Sequence, residues 1–159
     1  MFRTILLGLD GSPESQKALE YARELARDQG SRIEVVHVRE IVLAGRGGVV
    51  TANADEDEVI AAVKAQVAAL GETVTDVHLS VVTTTLGGPA HVLADHARGV
   101  DADVIVVGTR GRSKVTGLLL GSVTQRLLQI APCAVLAIPP KMAGGTGSAT
   151  AAAAATAGV

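Results

Sequence analysis

Glycines cluster in one stretch of the chain, between an apolar run and a segment with helical character. Gly108 and Gly111 open this stretch, and Gly121 with Ser122 closes it after a spacing of nine residues. Glycine lets backbone N–H groups approach a ligand closely, and a helix that begins near Ser122 adds unpaired N–H donors at the positive end of its dipole. The Ser122 hydroxyl can donate a further hydrogen bond. The chemistry that this spacing favours is the binding of a phosphate group.

Three cationic side chains lie in the same stretch, at Arg110, Arg112 and Lys114, and together they can offset the charge of a phosphate. The alternative is an ordinary glycine-rich turn with solvated basic residues. The combination of glycines, a hydroxyl and cations favours phosphate over that alternative. The stretch is not a Walker P-loop, which needs Gly-Lys-Ser/Thr at a set distance from its first glycine. Nor is it the dinucleotide fingerprint, which follows the first strand.

A carboxylate follows the first apolar run of the chain, in the segment Gly8-Leu9-Asp10-Gly11-Ser12. An aspartate at the end of a strand can accept a hydrogen bond from a ribose or an adenine, or it can help to hold Mg²⁺. It can equally form the turn that caps the following helix, beside Ser12. The residues themselves leave both interpretations open.

The histidines and the single cysteine indicate structural roles. His91 and His96 are five residues apart, so they do not share a face of a helix and do not form a metal pair. His37 lies at an apolar strand end, where we expect it to be packed and hydrogen-bonded. Cys133 lies in an apolar run, where we expect a small buried hydrophobic residue. No Ser, His and Asp can be argued into contact, so no catalytic residue is predicted.

Five short apolar runs, separated by helix-like segments, must position these groups. Most of the runs alternate little, which is typical of strands buried on both faces of a sheet. Helix signals between them include the Ser12-Pro13 cap, Gly30 and the acidic residues 55–58. This order predicts an α/β domain with a parallel sheet, in which ligands bind beyond the carboxyl ends of the strands. The runs are residues 5–9, 33–38, 77–84, 104–107 and 134–138.

The chain divides into one domain and a tail. We expect residues 1–140 to form the domain, with a glycine-bearing loop over residues 40–54. Residues 141–159 are rich in Gly, Ala, Thr and Ser, and this composition predicts a disordered or weakly helical tail.

The composition narrows the classes of function. A net charge of −2 supplies no basic field for a nucleic-acid backbone, and one Phe, one Tyr and no Trp leave no aromatic surface for stacking bases. No apolar segment approaches the ~20 residues of a membrane span, and the single Cys133 cannot form an internal disulfide. We therefore predict a cytoplasmic protein with an aliphatic core that binds neither nucleic acid nor membrane.

The pattern Gly108-x2-Gly111-x9-Gly121-Ser122 resembles the ATP-binding signature of the universal stress protein family. Asp10-Gly11-Ser12 and His37-Val38 resemble that family as well, and the resemblance covers residues 2–139. It implies a member that binds ATP, because members without the glycine pattern are thought not to hold ATP. It also implies a Rossmann-like fold with a five-stranded parallel sheet of order 3-2-1-4-5 and helices on both faces.

The resemblance further implies roles for individual residues. Asp10, which follows Gly8, would contact the adenosine part of ATP, and Val38 would meet the adenine edge through its backbone. Gly108 and Gly111 would line the ribose and the phosphates. The ATP would carry Mg²⁺, for which Asp10 is a candidate ligand. The phosphates would be cradled by Gly121, Ser122 and the N–H of Val123.

Three functions are compatible with these residues. The first is an ATP-binding regulatory module of the stress response, which acts through its conformation or through an unidentified protein partner. The second is a slow ATPase or a related adenine-nucleotide enzyme, which would need a base or a water-positioning group near the γ-phosphate. The third is a dimeric interaction module without nucleotide. We expect a homodimer in any case, because the run that begins at Cys133 and ends at Ile138 would form an apolar edge strand.

Overall fold

The computed structural model describes residues 1–44, 48–51, 55–85, 87–110 and 120–139. Gly111 and Arg112, which the sequence analysis assigned to the ligand site, lie outside the described residues, as does the tail from residue 141 onward. The elements are β1 Thr4–Gly8, α1 Pro13–Gln29, β2 Arg32–Ala44, β3 Gly48–Thr51, α2 Glu56–Gly71, β4 Val77–Thr84, α3 Gly88–Gly99, β5 Val104–Gly108, α4 Ser122–Ile130 and β6 Ala134–Ile138.

Five of the strands form one parallel sheet in the order β4-β2-β1-β5-β6. They are the third, second, first, fourth and fifth of the predicted strands, so the order 3-2-1-4-5 is confirmed. The central strand β1 has Ile5, Leu6 and Leu7 fully buried. Burial on both faces explains why its sequence does not alternate between apolar and polar residues.

Helices cover both faces of the sheet, as predicted. Successive residues of a strand point to opposite faces, and β1 therefore contributes to two separate apolar clusters. Ile5 and Leu7 pack in the cluster that α1 and α2 close, whereas Leu6 packs in the cluster that α3 and α4 close. The helical residues buried in the first cluster include Ala18, Leu19, Ala22, Val63 and Leu70. Those buried in the second include Ala90, Leu93, Ala94, Ala97 and Leu127.

The prediction of a loop over residues 40–54 is wrong for much of this segment. Strand β2 continues to Ala44, and β3 pairs with this extension in antiparallel fashion, with Ile41 opposite Thr51 and Ala44 opposite Gly48. The physical reason is that two short runs rich in β-branched residues flank a glycine-bearing segment, which is the sequence pattern of a hairpin.

The beginning of α1 is fixed by the predicted cap. The Ser12 hydroxyl accepts a hydrogen bond from the Ser15 N–H at 3.1 Å, and Pro13 occupies the first helical position. Gly30 ends the helix in the left-handed conformation with φ 65°. The first turn of α1 therefore stands at the carboxyl end of β1, where the sequence analysis places the candidate ligand.

Candidate functional site

The site predicted from the sequence lies where the strand order reverses. The chain leaves β1 for β2 on one side and later enters β5 on the other, and β1 pairs with β5 in parallel, with Leu7 opposite Val106. Asp10 and Arg110 therefore follow the carboxyl ends of adjacent strands. In doubly wound sheets this crevice is the general place for a ligand.

The two ends of the glycine stretch meet at this edge of the sheet. The Gly121 N–H donates a hydrogen bond to the carbonyl oxygen of Thr109 at 2.6 Å. The Thr124 hydroxyl donates a second one to the carbonyl oxygen of Gly108 at 2.9 Å. Together these bonds hold the N-terminus of α4 against the end of β5. The described ends of the glycine stretch are thus held together in space.

The N-terminus of α4 presents backbone donors that the helix itself does not pair. The first hydrogen bond of the helical pattern is the one from the Gln125 N–H to the carbonyl oxygen of Gly121, at 3.0 Å. The N–H groups of Ser122, Val123 and Thr124 come before it, and such groups have no acceptor within a helix. Ser122 is exposed, so this end of the helix is open to solvent. Donors of this kind, at the positive end of a helix dipole, bind anions.

Gly121 is the N-cap of α4 and has φ −72° and ψ 162°, an extended conformation that any residue adopts. The backbone conformation at this position therefore does not require a glycine. Gly121 differs from an ordinary cap residue because α4 has no side-chain cap hydrogen bond. A small residue at this position leaves the N-terminal donors of the helix uncovered.

Two predicted site glycines are also needed for packing. A Cβ on Gly108 would lie 2.9 Å from the Cβ of Glu14 and 3.0 Å from two backbone atoms, the carbonyl carbon of Glu14 and the carbonyl oxygen of Arg110. A Cβ on Gly8 would lie 3.0 Å from a methyl group of Val107. The absence of a side chain at Gly108 thus allows the first turn of α1 to approach β5.

Asp10 forms the turn that the sequence analysis offered as its alternative role. Its Oδ1 accepts a hydrogen bond from the Ser12 N–H at 3.0 Å. The turn leads directly into the Ser12 cap of α1 and keeps the partly buried carboxylate at the carboxyl edge of the sheet. The same aspartate is therefore both a turn residue and a group beside the crevice.

His37 is buried and hydrogen-bonded, as predicted, but its main partner was missed. Its Nδ1 lies 2.7 Å from the carbonyl oxygen of Leu9, and its Nε2 lies 2.6 Å from Oε1 of Glu56. The side chains of His37 and Glu56 are only 2% and 3% exposed. No local signal distinguishes Glu56, because it lies in a run of four acidic residues and its partner is 19 positions away.

Arg110 is exposed at the end of β5. Val38 lies in β2 opposite Val82 of β4, one residue beyond His37. The structure thus brings Asp10, Arg110 and the Gly121 end of α4 to one edge of the sheet. The roles that the resemblance implies for Gly8, Asp10, Val38 and the signature residues remain predictions.

Two groups with shifted pKa values, Asp103 and Cys133, lie at the amino ends of β5 and β6, away from the candidate site. The pKa of Asp103 is lowered because its carboxylate accepts hydrogen bonds from the Thr4 and Arg3 N–H groups, at 2.9 and 2.6 Å. Burial raises the pKa of the Cys133 thiol. Cys133 is only partly buried and packs against the cluster that α3 and α4 close, so the expectation of a small buried hydrophobic residue is met only in part. Cys133 directly precedes β6, the edge strand, which has a neighbouring strand on one side only in the described sheet.

Within the described ranges, no group of three or more His, Cys, Asp or Glu side chains could hold a metal ion. The same part of the chain contains no helix that is long and apolar enough to cross a membrane.

A doubly wound parallel sheet with Gly108 and Gly121 beside the switch point defines a Rossmann-like α/β domain. The family model of the universal stress proteins matches residues 1–139. The chain therefore belongs to the universal stress protein family.

Individual relatives cover nearly the whole domain. A universal stress protein of Thermus aquaticus, from the QAH/OAS sulfhydrylase 3′ region, is 36% identical over 138 residues, which are 87% of this chain and 99% of the relative. A crystal structure of a universal stress protein in complex with cAMP is similar with a TM-score of 0.64, at 24% identity over 88% of this chain and 98% of the other. The universal stress protein of Archaeoglobus fulgidus in complex with dAMP has a TM-score of 0.56, at 21% identity over 87% and 98% of the two chains.

Proposed function

We propose that this chain is an ATP-binding regulatory module of the stress response, whose bound nucleotide changes its conformation or its binding to a protein partner. The observation that carries the proposal is the hydrogen bond of 2.6 Å from the Gly121 N–H to the Thr109 carbonyl oxygen. This bond holds the anion-binding end of α4 beside the switch point. It does so at the edge where Asp10 follows the neighbouring strand.

The groups on this edge fit a phosphorylated ligand. The buried Thr109 hydroxyl has no hydrogen-bond partner within the part of the chain that the structure describes. Buried hydroxyl groups are normally paired, so a ligand oxygen is a suitable partner. The N–H groups of Ser122 and Val123 would donate to the same phosphates. Arg110 and Arg112 would offset their charge.

An adenine nucleotide is favoured over other phosphorylated ligands. Two structural relatives are described in complex with cAMP and with dAMP, which share an adenine ring, a sugar and a phosphate. On this chain Asp10, next to Gly8 and Leu9, would contact the adenosine part, and the backbone of Val38 would contact the adenine. Gly108 and Gly111 would lie along the ribose and phosphates.

A triphosphate with Mg²⁺ is the form of the ligand that we propose. The signature residues resemble those of ATP-binding family members, and three cations in one stretch suit a ligand with more than one phosphate. The magnesium ion would be carried by the phosphates. Asp10 is the candidate protein ligand, since carboxylates are preferred by this ion.

Regulation is proposed over turnover because the acidic group after β1, Asp10, is assigned to the adenosine part of the ligand and not to the γ-phosphate. Hydrolysis would need a base or a water-positioning group near the γ-phosphate. Asp10 is the acid that follows β1, and it forms a turn with Ser12 on the adenosine side. A slow ATPase differs from a regulatory module in a measurable way, because it releases phosphate from ATP that the regulatory module retains.

A cytoplasmic location and a homodimer belong to the same proposal. A single cysteine that cannot form an internal disulfide suits a reducing compartment. Strand β6 pairs only with β5 in the described sheet, so its outer edge is available for a second copy. Pro139 follows the strand directly and limits how far such a pairing extends.

The homodimer is tested by light scattering on the purified protein. We expect a dimer at tens of micromolar (about the usual working range), because an unpaired apolar edge strand favours pairing. A monomer over that range would contradict the edge-strand interface.

The nucleotide is tested by denaturing freshly purified protein and identifying what is released by mass spectrometry. We expect ATP or another adenine nucleotide, in protein to which none was added. Protein that is free of nucleotide is then titrated with ATP, ADP, AMP and cAMP. Binding of none of the four would exclude the proposed function in favour of a dimeric interaction module.

A further inference from the structure

We propose that His37 and Glu56 are positioning residues of the nucleotide site. In this arrangement the buried pair holds the Leu9 carbonyl, and through it the Asp10 turn, in the geometry that the adenosine part of the ligand requires. The inference rests on the proposed function, because it gives these two residues a role in a nucleotide site that they would support without contacting the ligand.

The partners of the imidazole define its protons. The carbonyl oxygen of Leu9 can only accept a hydrogen bond, so Nδ1 at 2.7 Å must carry a proton and donate it. Nε2 and Oε1 of Glu56, 2.6 Å apart, then share one further proton. Whether that proton resides on nitrogen or on oxygen, it links the two side chains. The contact therefore joins the end of β1 to the first turn of α2 through a side chain of β2.

Burial makes this link more than an ordinary surface contact. Both side chains are almost completely buried, at 2% and 3% exposure. A buried polar pair is costly to desolvate, and an apolar pair of similar size often serves a core equally well or better. The pair therefore offers little net stabilisation over apolar packing, and what it provides is direction. It specifies where the Leu9 carbonyl points.

The Leu9 peptide groups are held from both sides. The Leu9 N–H donates to the carbonyl oxygen of Val36 at 3.1 Å, and the Leu9 carbonyl oxygen accepts from His37 at 2.7 Å. The Leu9 side chain is itself buried at 2% exposure. The backbone that enters Asp10 consequently has little freedom to shift.

Helix α2 supports the same turn at a second point. Gly11 has φ 77°, and a Cβ placed on it would lie 2.8 Å from a methyl group of Val59. Glu56 and Val59 are three residues apart, so they lie on one face of the first turns of α2. One face of α2 thus fixes the turn directly at Gly11 and indirectly through His37.

Two substitutions separate the two hydrogen bonds of His37. In His37→Asn the amide nitrogen takes the place of Nδ1, so the donor to Leu9 remains and the contact with Glu56 is lost. In His37→Gln the amide reaches the place of Nε2, so the contact with Glu56 remains and the donor to Leu9 is lost. Val63→Ala is the matched control, because it weakens a fully buried position of the same helix away from the turn.

Three quantities are measured for each variant: the melting temperature, the Kd for ATP, and hydrogen exchange of residues 9–12 in the nucleotide-free protein. We expect all three variants to melt at lower temperature than the parent. His37→Gln should raise the Kd about tenfold and accelerate exchange of residues 9–12. His37→Asn should bind within about threefold of the parent, and Val63→Ala should bind as the parent does.

The outcomes distinguish this inference from the proposed function. Equal affinity of His37→Gln and the parent would overturn the positioning role and leave a purely structural pair. Equal losses of affinity in His37→Gln and Val63→Ala would overturn it as well. Failure of the parent to bind any adenine nucleotide would instead overturn the proposed function. The faster exchange of residues 9–12 in His37→Gln would still be measurable in that case.

Glu56 provides the comparison if the histidine variants do not fold. Glu56→Gln can donate its amide to Nε2 and should keep the parental Kd. Glu56→Ala, like His37→Asn, loses this contact and keeps the donor to Leu9, so it should raise the Kd about threefold and accelerate exchange of residues 9–12. Parental affinity in folded Glu56→Ala protein would contradict the inference.

Discussion

The two halves of the candidate site are held in place by different parts of the chain. On the proposed adenosine side, which comprises Leu9, Asp10 and Val38, the buried pair of His37 and Glu56 holds the Leu9 backbone. On the proposed phosphate side, which comprises residues 108–110 and 121–123, backbone groups hold one another, as in the bond from Gly121 to Thr109. The adenosine side should therefore be sensitive to the loss of a side chain, and the phosphate side to the addition of one.

The largest effect is expected from an added side chain at Gly121. Gly121→Val places a branched group at the N-cap of α4, over the donors that would meet the phosphates. ATP binding should weaken by at least about a hundredfold, equal to about 3 kcal/mol. The fold should be retained, because φ −72° is open to any residue. Isothermal titration measures the affinity, and circular dichroism monitors the fold.

Arg112→Ala is the companion variant, because it removes a charge and leaves the backbone donors in place. Its Kd should rise only about two- to fivefold, because one of three cations in the stretch is removed and the other two remain. A folded Gly121→Val protein with parental affinity would mean that the phosphates bind elsewhere. A loss for Arg112→Ala as large as that for Gly121→Val would mean that charge, and not the helix N-terminus, dominates the phosphate side.

The next largest effect is expected on the free energy of unfolding, from a substitution at Gly108. Gly108→Ala brings a methyl group within 2.9 to 3.0 Å of Glu14 and of the Arg110 carbonyl oxygen. Backbone atoms cannot move aside as a flexible side chain can, so the free energy of unfolding should fall by about 2 kcal/mol. Urea denaturation of the nucleotide-free protein gives this value directly.

Gly99→Ala is the matched control, since a Cβ there meets no atom within 4 Å among the described residues. This substitution should leave stability unchanged or raise it by up to about 1 kcal/mol. If Gly108→Ala proves as stable as Gly99→Ala, the close approach of α1 to β5 is not a requirement of the fold.

The smallest effect on stability is expected at Asp103, at the amino end of β5 and remote from the site. The pKa of the Asp103 carboxyl is lowered in the folded protein by hydrogen bonds from the Thr4 and Arg3 N–H groups. Its contribution to stability is therefore present above the unfolded value of about 3.9 and is lost as the pH falls through the lower folded value. Because Asp103 is exposed, Asp103→Asn should cost only a few tenths to about 1 kcal/mol at pH 7.

Urea midpoints at pH 7 and in mild acid measure that contribution for the parent and for Asp103→Asn. The difference between the two proteins should shrink as the pH falls, and the ATP affinity at pH 7 should be the same. A difference that grows in acid would contradict the assigned hydrogen bonds.

Sequence reasoning predicted the strands well because buried parallel strands produce uninterrupted apolar runs. Runs such as residues 77–84 coincide with β4, and the Ser12 and Gly30 caps bound α1 as expected. The order of the strands came from the family resemblance, since apolar runs alone do not say which strands are neighbours. The hairpin of β2 and β3 was missed because glycines between its strands dominated the interpretation of residues 40–54.

The framework of the site was harder to predict for a different physical reason. His37 could be recognised as a buried polar residue, but Glu56 had no distinguishing feature among its acidic neighbours. Their contact depends on how α2 packs against the sheet, which is a tertiary property. Gly108 shows the same limit, because its contact with Glu14 arises only when α1 packs against β5.

The central claim, that this chain binds ATP, is tested most directly by the melting temperature of nucleotide-free protein with and without Mg²⁺ and ATP. At about 100 times the Kd, binding should stabilise the fold by about 2.7 kcal/mol. For a domain of this size the melting temperature should rise by on the order of 5–12 °C. ADP should also raise it, and phosphate buffer without nucleotide should have little effect. No shift with any adenine nucleotide, in protein shown to carry none, would contradict the claim.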